Sequence, residues 1–236
     1  MKISKVTNVI EGWFVDWRAY IVEFLGTFFF VFISCAIVLV DHFYGGIGIL
    51  GKALAIGFCY SALIFMTVQL SGGYLNPAIT IALWLVQKLS GVKTTFFLLT
   101  QIAASFSAGG AAMLIFGDLA REATLGAPVL GLNVSLSQAV LIEAIFTAII
   151  VFAVFTTMID RRGPVSFGPL VLGIMLVSLS LVAMPVSGAG LNPARVLGPL
   201  VLSNSTNTLA VWLIGPITGS LFGVIYDLVF LKKSKK

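Results

Sequence analysis

The sequence predicts an all-α membrane protein with six transmembrane helices and two half-helices. Hydrophobic residues make up 59% of the chain and charged residues only 10%, whereas soluble domains are about 25% charged. Six apolar stretches are long enough to cross a bilayer as a helix, which needs roughly 20 residues. Two shorter apolar stretches are each opened by the same tripeptide, Asn-Pro-Ala. Helices are expected because they satisfy their backbone polar groups internally in lipid.

The apolar stretches define the order of the predicted elements along the chain. The two short ones, at about 77–88 and 193–203, would be about 18 and 16 Å long at 1.5 Å per residue, or half a bilayer each. Two such segments complete one crossing if they enter from opposite sides and meet in the middle. The six long stretches lie at about 19–40, 50–70, 94–116, 135–158, 166–186 and 208–231.

The basic residues indicate orientation rather than nucleic-acid binding. The formal net charge is +5, but the Lys and Arg residues fall in short clusters between apolar stretches, where they set membrane topology. An N-terminus on the inside places eleven of the fourteen basic residues on the inner side, Lys52 and Arg121 outside, and Arg195 in the bilayer region. This distribution predicts cytoplasmic termini in a plasma or inner membrane.

The chain contains an internal duplication. Residues 71–80 match residues 187–196 at six of ten positions, with an offset of 116. Each copy holds three long stretches and one short stretch, so the second copy must sit upside down relative to the first. The chain is therefore predicted to be a single membrane domain, 1–236, with inverted repeats at about 17–116 and 135–231. Inverted repeats of this kind place a site at the membrane midplane, where broken segments meet.

The repeated tripeptide opens both half-helices, and its chemistry suits a helix start. Proline fits the first helical position because its missing N–H would be unpaired there, and asparagine is a good N-cap. Two helix starts that meet at mid-membrane point their positive dipole ends at one place, which disfavours a cation and tolerates a neutral molecule. The predicted pore-centre residues are Asn76, Pro77, Ala78, Asn192, Pro193 and Ala194.

The two tripeptides, the in-span carboxylates Glu23 and Glu143, and Arg195 three residues after Asn192 make the chain resemble the aquaporin and aquaglyceroporin family over nearly its whole length. The resemblance implies six tilted helices around a pore that passes water and small uncharged solutes but not protons or ions. It also implies a homotetramer with one pore per subunit, no cofactor and no enzymatic activity. Glu23 and Glu143 would support the loops before the half-helices.

The resemblance also indicates an outer selectivity filter formed by Ile56, Ser180, Ala189 and Arg195. Water-selective members resemble one another in having an aromatic residue and a histidine at the first two positions, and this chain has neither. The missing rings predict a wide filter that admits glycerol, urea or ammonia as well as water, with Arg195 repelling cations. Phe30 and Ile150, seven residues after the two glutamates, either narrow the pore centre or only pack between helices.

Three other functions can be set against a channel. A secondary transporter also uses broken helices and inverted repeats, but it usually needs further intramembrane charges for coupling ions. An intramembrane enzyme would need a catalytic group, and the chain has one histidine, His42 in a loop, and no metal-ligand spacing. A non-conducting junction protein of the same fold is the third alternative; Arg195 and the two Asn-Pro-Ala segments favour an open path.

Overall fold

The computed structural model describes the backbone of residues 3–231 and the side chains of residues 16–231, Val165 excepted. The side chains of Lys2, Lys5 and the C-terminal lysine cluster, which contributed to the predicted orientation, lie outside this part.

Helices account for almost all of the regular structure in the described part of the chain. Short 3₁₀ or π segments, among them Phe155–Ile159 and Asp227–Leu231, extend or connect them. The α-helices are α1 Ile3–Tyr44, α2 Gly48–Thr67, α3 Pro77–Leu85, α4 Gly91–Phe116, α5 Leu119–Glu122, α6 Leu136–Val154, α7 Gly168–Ser187, α8 Pro193–Leu202, α9 Leu209–Ser220 and α10 Phe222–Tyr226.

Six helical segments are long and apolar enough to cross a membrane, which confirms the predicted fold class. Their ends differ from the sequence prediction by a few residues. The largest extension is at the first span, where the helix runs on to Tyr44 instead of ending near residue 40, so the predicted loop position of His42 is wrong and the residue lies in the last turn of α1. The segments are Asp16–Tyr44, Gly48–Thr67, Gly91–Phe116, Leu136–Ile159, Gly168–Ser187 and Thr206–Leu231.

The two half-helices, α3 and α8, have 9 and 10 residues. The predicted end of the first one, near residue 88, is wrong: α3 stops at Leu85 and the chain then turns. The cause is Gln87, whose φ of 59° is incompatible with continuing the helix. Each half-helix is therefore about 14–15 Å long, about half of the hydrocarbon thickness.

Helix packing follows the same order in the two halves of the chain. Helix α1 packs on α4 and α6 packs on α9, while α2 and α7 pack against each other across the two halves. At the α2–α7 contact a Cβ added to Gly57 would lie 2.7 Å from the Gly173 carbonyl oxygen, and one added to Gly173 would lie 2.7 Å from that of Gly57. Both half-helices contact the other half of the chain, since α8 packs mainly on α4 and α3 packs on α9 as well as on α4.

Candidate functional site

The two half-helices begin with nearly the same backbone geometry. Asn76 has φ/ψ of −152°/118° and Asn192 has −152°/111°, both extended. The side-chain oxygen of Asn76 accepts a hydrogen bond from the Ala78 N–H at 2.9 Å, and that of Asn192 accepts one from the Ala194 N–H at 2.9 Å. Each asparagine is thus an N-cap, and proline follows at the first helical position.

The same two asparagines connect the half-helix starts to each other. The Asn76 Nδ2 donates to the Leu191 carbonyl oxygen at 3.0 Å, and the Asn192 Nδ2 donates to the Leu75 carbonyl oxygen at 2.8 Å. A side-chain amide carries two N–H donors. Each amide therefore keeps one N–H donor beyond the bond that links the two helix starts.

Glu23 holds the loop that leads into α3. Its side chain is fully buried and accepts four hydrogen bonds, which satisfy a carboxylate that would otherwise be costly in a membrane interior. The donors are the Ser71 hydroxyl (2.7 Å), the Tyr74 N–H (3.0 Å), the Leu75 N–H (2.9 Å) and the Gln101 side-chain amide (2.8 Å).

Glu143 holds the loop that leads into α8 in the same way. It is also fully buried and accepts from the Ser187 hydroxyl at 2.6 Å, the Gly190 N–H at 2.8 Å and the Leu191 N–H at 2.6 Å. Leu191, with φ of 52°, is in the left-handed region, which costs a non-glycine residue about 1–3 kcal/mol. The bond from its N–H to Glu143 holds it in that conformation, and so aims the next residue, Asn192.

A small cavity lies where the two half-helix starts meet. Its volume is about 10 Å³. Its wall includes the two predicted narrowing residues, Phe30 and Ile150, and two large side chains that the sequence analysis missed, Tyr60 and Leu176. The lining residues are Phe30, Tyr60, Asn76, Ile150, Leu176, Gly190, Leu191 and Asn192.

Arg195 lines a second, larger cavity of about 240 Å³, toward the connection between α1 and α2. We call it the outer cavity, after the predicted outer filter. The side chain is only 2% exposed, and its Nε and Nη1 have no hydrogen-bond partner among the described residues. Buried guanidinium donors are costly unless they are paired. Both nitrogens are enclosed by protein atoms, so they remain unsatisfied donors beside the cavity. The cavity is lined by Val38, Ile49, Lys52, Ala127, Pro128, Val129, Met184, Gly188 and Arg195.

The other three predicted filter residues are also buried. Ile56 lies on α2, one residue before Gly57, and Ser180 lies on α7, seven residues after Gly173. Gly57 and Gly173 form the close contact between these two helices. Ala189, at a φ of 56°, follows Gly188 of the outer cavity wall. That these three side chains and Arg195 form one ring stays a prediction.

Further residues support the site, and some of them left a signal in the sequence. Ser71 and Ser187 open the two matching ten-residue segments, so their shared role beside the glutamates was available from the repeat. The contacts around α8 left no signal in the sequence. The Ser105 hydroxyl donates to the Ala194 carbonyl oxygen and accepts from the Gly198 N–H. The Trp212 Nε1 donates to the Ser187 carbonyl oxygen at 2.8 Å. These partners come from other helices, so they depend on tertiary packing.

Among the described residues, no group of three or more His, Cys, Asp or Glu side chains is placed so that it could hold a metal ion. The arrangement around the half-helix starts offers one further N–H donor on each asparagine amide, a buried guanidinium and an apolar wall. Such a set can guide a small neutral molecule that carries oxygen acceptors.

Comparison with known proteins gives one consistent result. Residues 11–226 match the family model described as major intrinsic protein. The chain is 33% identical to the lens fiber major intrinsic protein of Gallus gallus over 224 residues, which cover 93% of this chain and 84% of that protein. It is 31% identical to aquaporin Z of Photorhabdus laumondii over 229 residues, which cover 92% and 99%.

A solved structure supports the fold. The X-ray structure of the aquaglyceroporin from Plasmodium falciparum superposes with a TM-score of 0.80 at 24% sequence identity, covering 90% of this chain and 96% of that one.

Proposed function

The chain belongs to the major intrinsic protein family and is a membrane channel, and we propose that its pore conducts water and small uncharged solutes between Asn76 and Asn192. The observation that carries this proposal is the reciprocal pair of hydrogen bonds between the two half-helix starts. It leaves one donor of each amide facing a cavity that has room for about one water molecule.

Exclusion of ions follows from the charges around this path. The positive ends of α3 and α8 face the same point, and the buried Arg195 lies on the outer side of it. A cation would lose its hydration and meet three sources of positive potential. A neutral molecule meets only hydrogen-bond donors, and Glu23 and Glu143 cannot relay protons because their oxygens are engaged by the loops.

The outer filter of Ile56, Ser180, Ala189 and Arg195 admits solutes larger than water. This part of the proposal rests on side-chain size, because neither Ile nor Ser has a ring. Glycerol, urea and ammonia are the candidate solutes. The outer cavity of about 240 Å³ beside Arg195 supports a mouth that accepts several water molecules or one small solute.

The test uses purified protein in proteoliposomes and stopped-flow light scattering. Addition of glycerol or urea should cause rapid shrinkage and then re-swelling faster than in empty vesicles. The double variant Ile56→Phe, Ser180→His should shrink normally but re-swell at the rate of empty vesicles. If neither protein shrinks faster than empty vesicles, the channel proposal fails. If the wild type shrinks fast and the double variant re-swells like it, the proposed filter is not at these positions.

The assembly and orientation are part of the same proposal. We infer a homotetramer with cytoplasmic termini and inverted repeats at about 17–116 and 135–231; the matching helix contacts of the two halves and the reciprocal asparagine bonds support the repeats. Light scattering of the detergent-solubilised protein should give four times the chain mass of 25.1 kDa. A tag at either terminus should resist protease outside intact cells. A single-chain mass or cleavage of the tag contradicts the respective inference.

Membership of the family argues against the transporter and enzyme alternatives, since its members are channels. A non-conducting junction protein is tested by the same shrinkage measurement, because such a protein would leave the vesicles at the lipid rate.

A further inference from the structure

The two cavities along the path differ greatly in size. The outer one, beside Arg195, measures about 240 Å³, whereas the central one, between Asn76 and Asn192, measures about 10 Å³. A buried water molecule needs a cavity volume of about 10–15 Å³. The centre therefore holds about one water at a time, although the outer filter residues predict a wide pore.

The wall that reduces the central cavity is apolar and lies opposite the asparagine pair. Four side chains from four different helices form it: Phe30, Tyr60, Ile150 and Leu176. Tyr60 is the largest of them, and it lies on α2 one turn, or about 6 Å, beyond the filter position Ile56.

Two contacts fix the Tyr60 ring. Its centroid lies 4.8 Å from that of Phe30, with an interplanar angle of 50°. Its hydroxyl donates to the Tyr74 carbonyl oxygen at 3.3 Å, and Tyr74 belongs to the loop that Glu23 holds. The side chain is only 2% exposed. The ring therefore cannot retreat from a passing solute without displacing Phe30 or leaving its partner in the loop.

We propose that Tyr60, braced by Phe30, is the residue that determines the largest solute the pore passes. This inference rests on the proposed function, because it assumes that the path runs between Asn76 and Asn192. The outer filter admits a solute, and the central ring then sets its rate. Water passes in single file, while a carbon-containing solute must press past two packed rings. In the wild type, the selectivity for water over glycerol is thus set at the pore centre, and the wider filter at Ile56 and Ser180 becomes limiting only when rings are introduced there.

The experiment measures the ratio of glycerol to water permeability in proteoliposomes, with urea and erythritol as smaller and larger probes. Tyr60→Ile should raise the glycerol-to-water ratio about tenfold, a discrimination of the size that one or two carbon groups produce in a close-fitting pocket. Phe30→Leu, which removes the brace, should raise it by a smaller factor. Tyr60→Phe keeps the ring but loses the hydrogen bond to the Tyr74 carbonyl oxygen, so it should raise the ratio by less than Tyr60→Ile does.

Phe155→Leu is the matched control, because Phe155 is also a fully buried ring but packs against Tyr226 and Gly223, away from the central cavity. Its ratio should equal that of the wild type. A wild-type ratio in both Tyr60→Ile and Phe30→Leu, with normal water permeability, would overturn the proposal and leave the channel proposal standing. If Tyr60→Ile fails to fold, Phe30→Leu alone decides. If the wild-type protein does not raise water permeability above that of empty vesicles, the proposed function itself is contradicted.

Discussion

The half-helix starts at Asn76 and Asn192 share a scaffold but differ in chemistry. At each start a buried glutamate accepts from a serine hydroxyl and two backbone N–H groups, and the asparagine caps its own helix and bonds to the other loop. Three residues after the asparagine, however, the first copy has Ile79 and the second has Arg195. The matching segments thus share their geometry, and the unmatched charge of Arg195 makes the two half-helix starts chemically different.

The supports of the two starts differ as well. Glu23 has a fourth donor, Gln101, whereas Pro216 occupies the aligned position in the second copy. There the loop is instead packed by Trp212, which lies against Gly190, the counterpart of Tyr74. The first start is therefore held mainly by hydrogen bonds, and the second by fewer hydrogen bonds and a buried ring.

The sharpest test of this difference replaces each glutamate with glutamine. Each carboxylate oxygen of Glu23 accepts two hydrogen bonds. The amide nitrogen of a glutamine would therefore face two donors, whichever of the two oxygens it replaces. In Glu143 the Oε2 accepts a single bond, from Leu191, so an amide nitrogen there loses one. At about 1–3 kcal/mol for each buried group left unsatisfied, Glu23→Gln should destabilise about twice as much as Glu143→Gln.

The measurement is the thermal unfolding midpoint in detergent, with the exposed Glu122→Gln as control. Equal losses in the two variants would show that the fourth donor, Gln101, contributes nothing.

The unmatched charge gives the next largest effect. A cation about 4 Å from Arg195 is repelled by roughly 4 kcal/mol at an effective dielectric constant of about 20. Even a third of that is about tenfold in rate, so Arg195→Val should raise proton and cation leakage at least about tenfold. Dye-loaded proteoliposomes under an imposed gradient report the leak. The control Ile79→Val, at the matching position of the first copy, should leak protons and cations at the wild-type rate. If Arg195→Val also leaks at the wild-type rate, ions are excluded by other residues.

A smaller effect is expected from the ring that packs the second start. A Cβ at Gly190 would lie 2.2 Å from the Trp212 Cδ1, so Gly190→Ala forces the indole to move and should destabilise the protein by about 1–3 kcal/mol. Gly110→Ala is the control, since a Cβ there meets nothing within 4 Å and helix propensity predicts a gain of about 0.5–1 kcal/mol. The unfolding midpoints should therefore move in opposite directions. If the unfolding midpoint of Gly190→Ala equals that of the wild type, the Trp212 ring can move without a loss of stability and the prediction is wrong.

The smallest effect concerns the connections after the first helix of each half. Asp41 binds the Ile47 and Gly48 N–H groups and Lys52. Asp160 binds Arg162 at 2.5 Å and the Tyr226 hydroxyl at 3.1 Å, and the hydrogen bonds from Arg162 hold the pKa of the Asp160 carboxyl well below its ordinary value of 3.8.

A lowered carboxyl pKa contributes stability that is present above the ordinary pKa and is lost as the pH falls below it. The unfolding midpoint of the wild type should therefore fall more steeply than that of Asp160→Asn between about pH 4 and pH 2. Parallel curves would contradict this role of Asp160.

The sequence predicted those parts of the molecule that depend on local or repeated signals. Hydropathy located the six spans, and the duplication located Asn76, Asn192 and the two glutamates. The end of α3 could not be predicted, because nothing before the fold shows that Gln87 adopts a φ of 59°. The central wall was predicted only in part: Phe30 and Ile150 followed from the glutamate spacing, but Tyr60 depends on how α2 is rotated against α7.

The central claim, that the path runs between the two asparagines, is tested most directly by blocking it. Ile150 lines the central cavity, and Ile145, on the same helix, is 49% exposed on the outside of the bundle. Stopped-flow shrinkage in sucrose should drop to the rate of empty vesicles for Ile150→Trp and stay at the wild-type rate for Ile145→Trp. Fast shrinkage with a correctly folded Ile150→Trp variant would contradict the account, because water would then cross somewhere else.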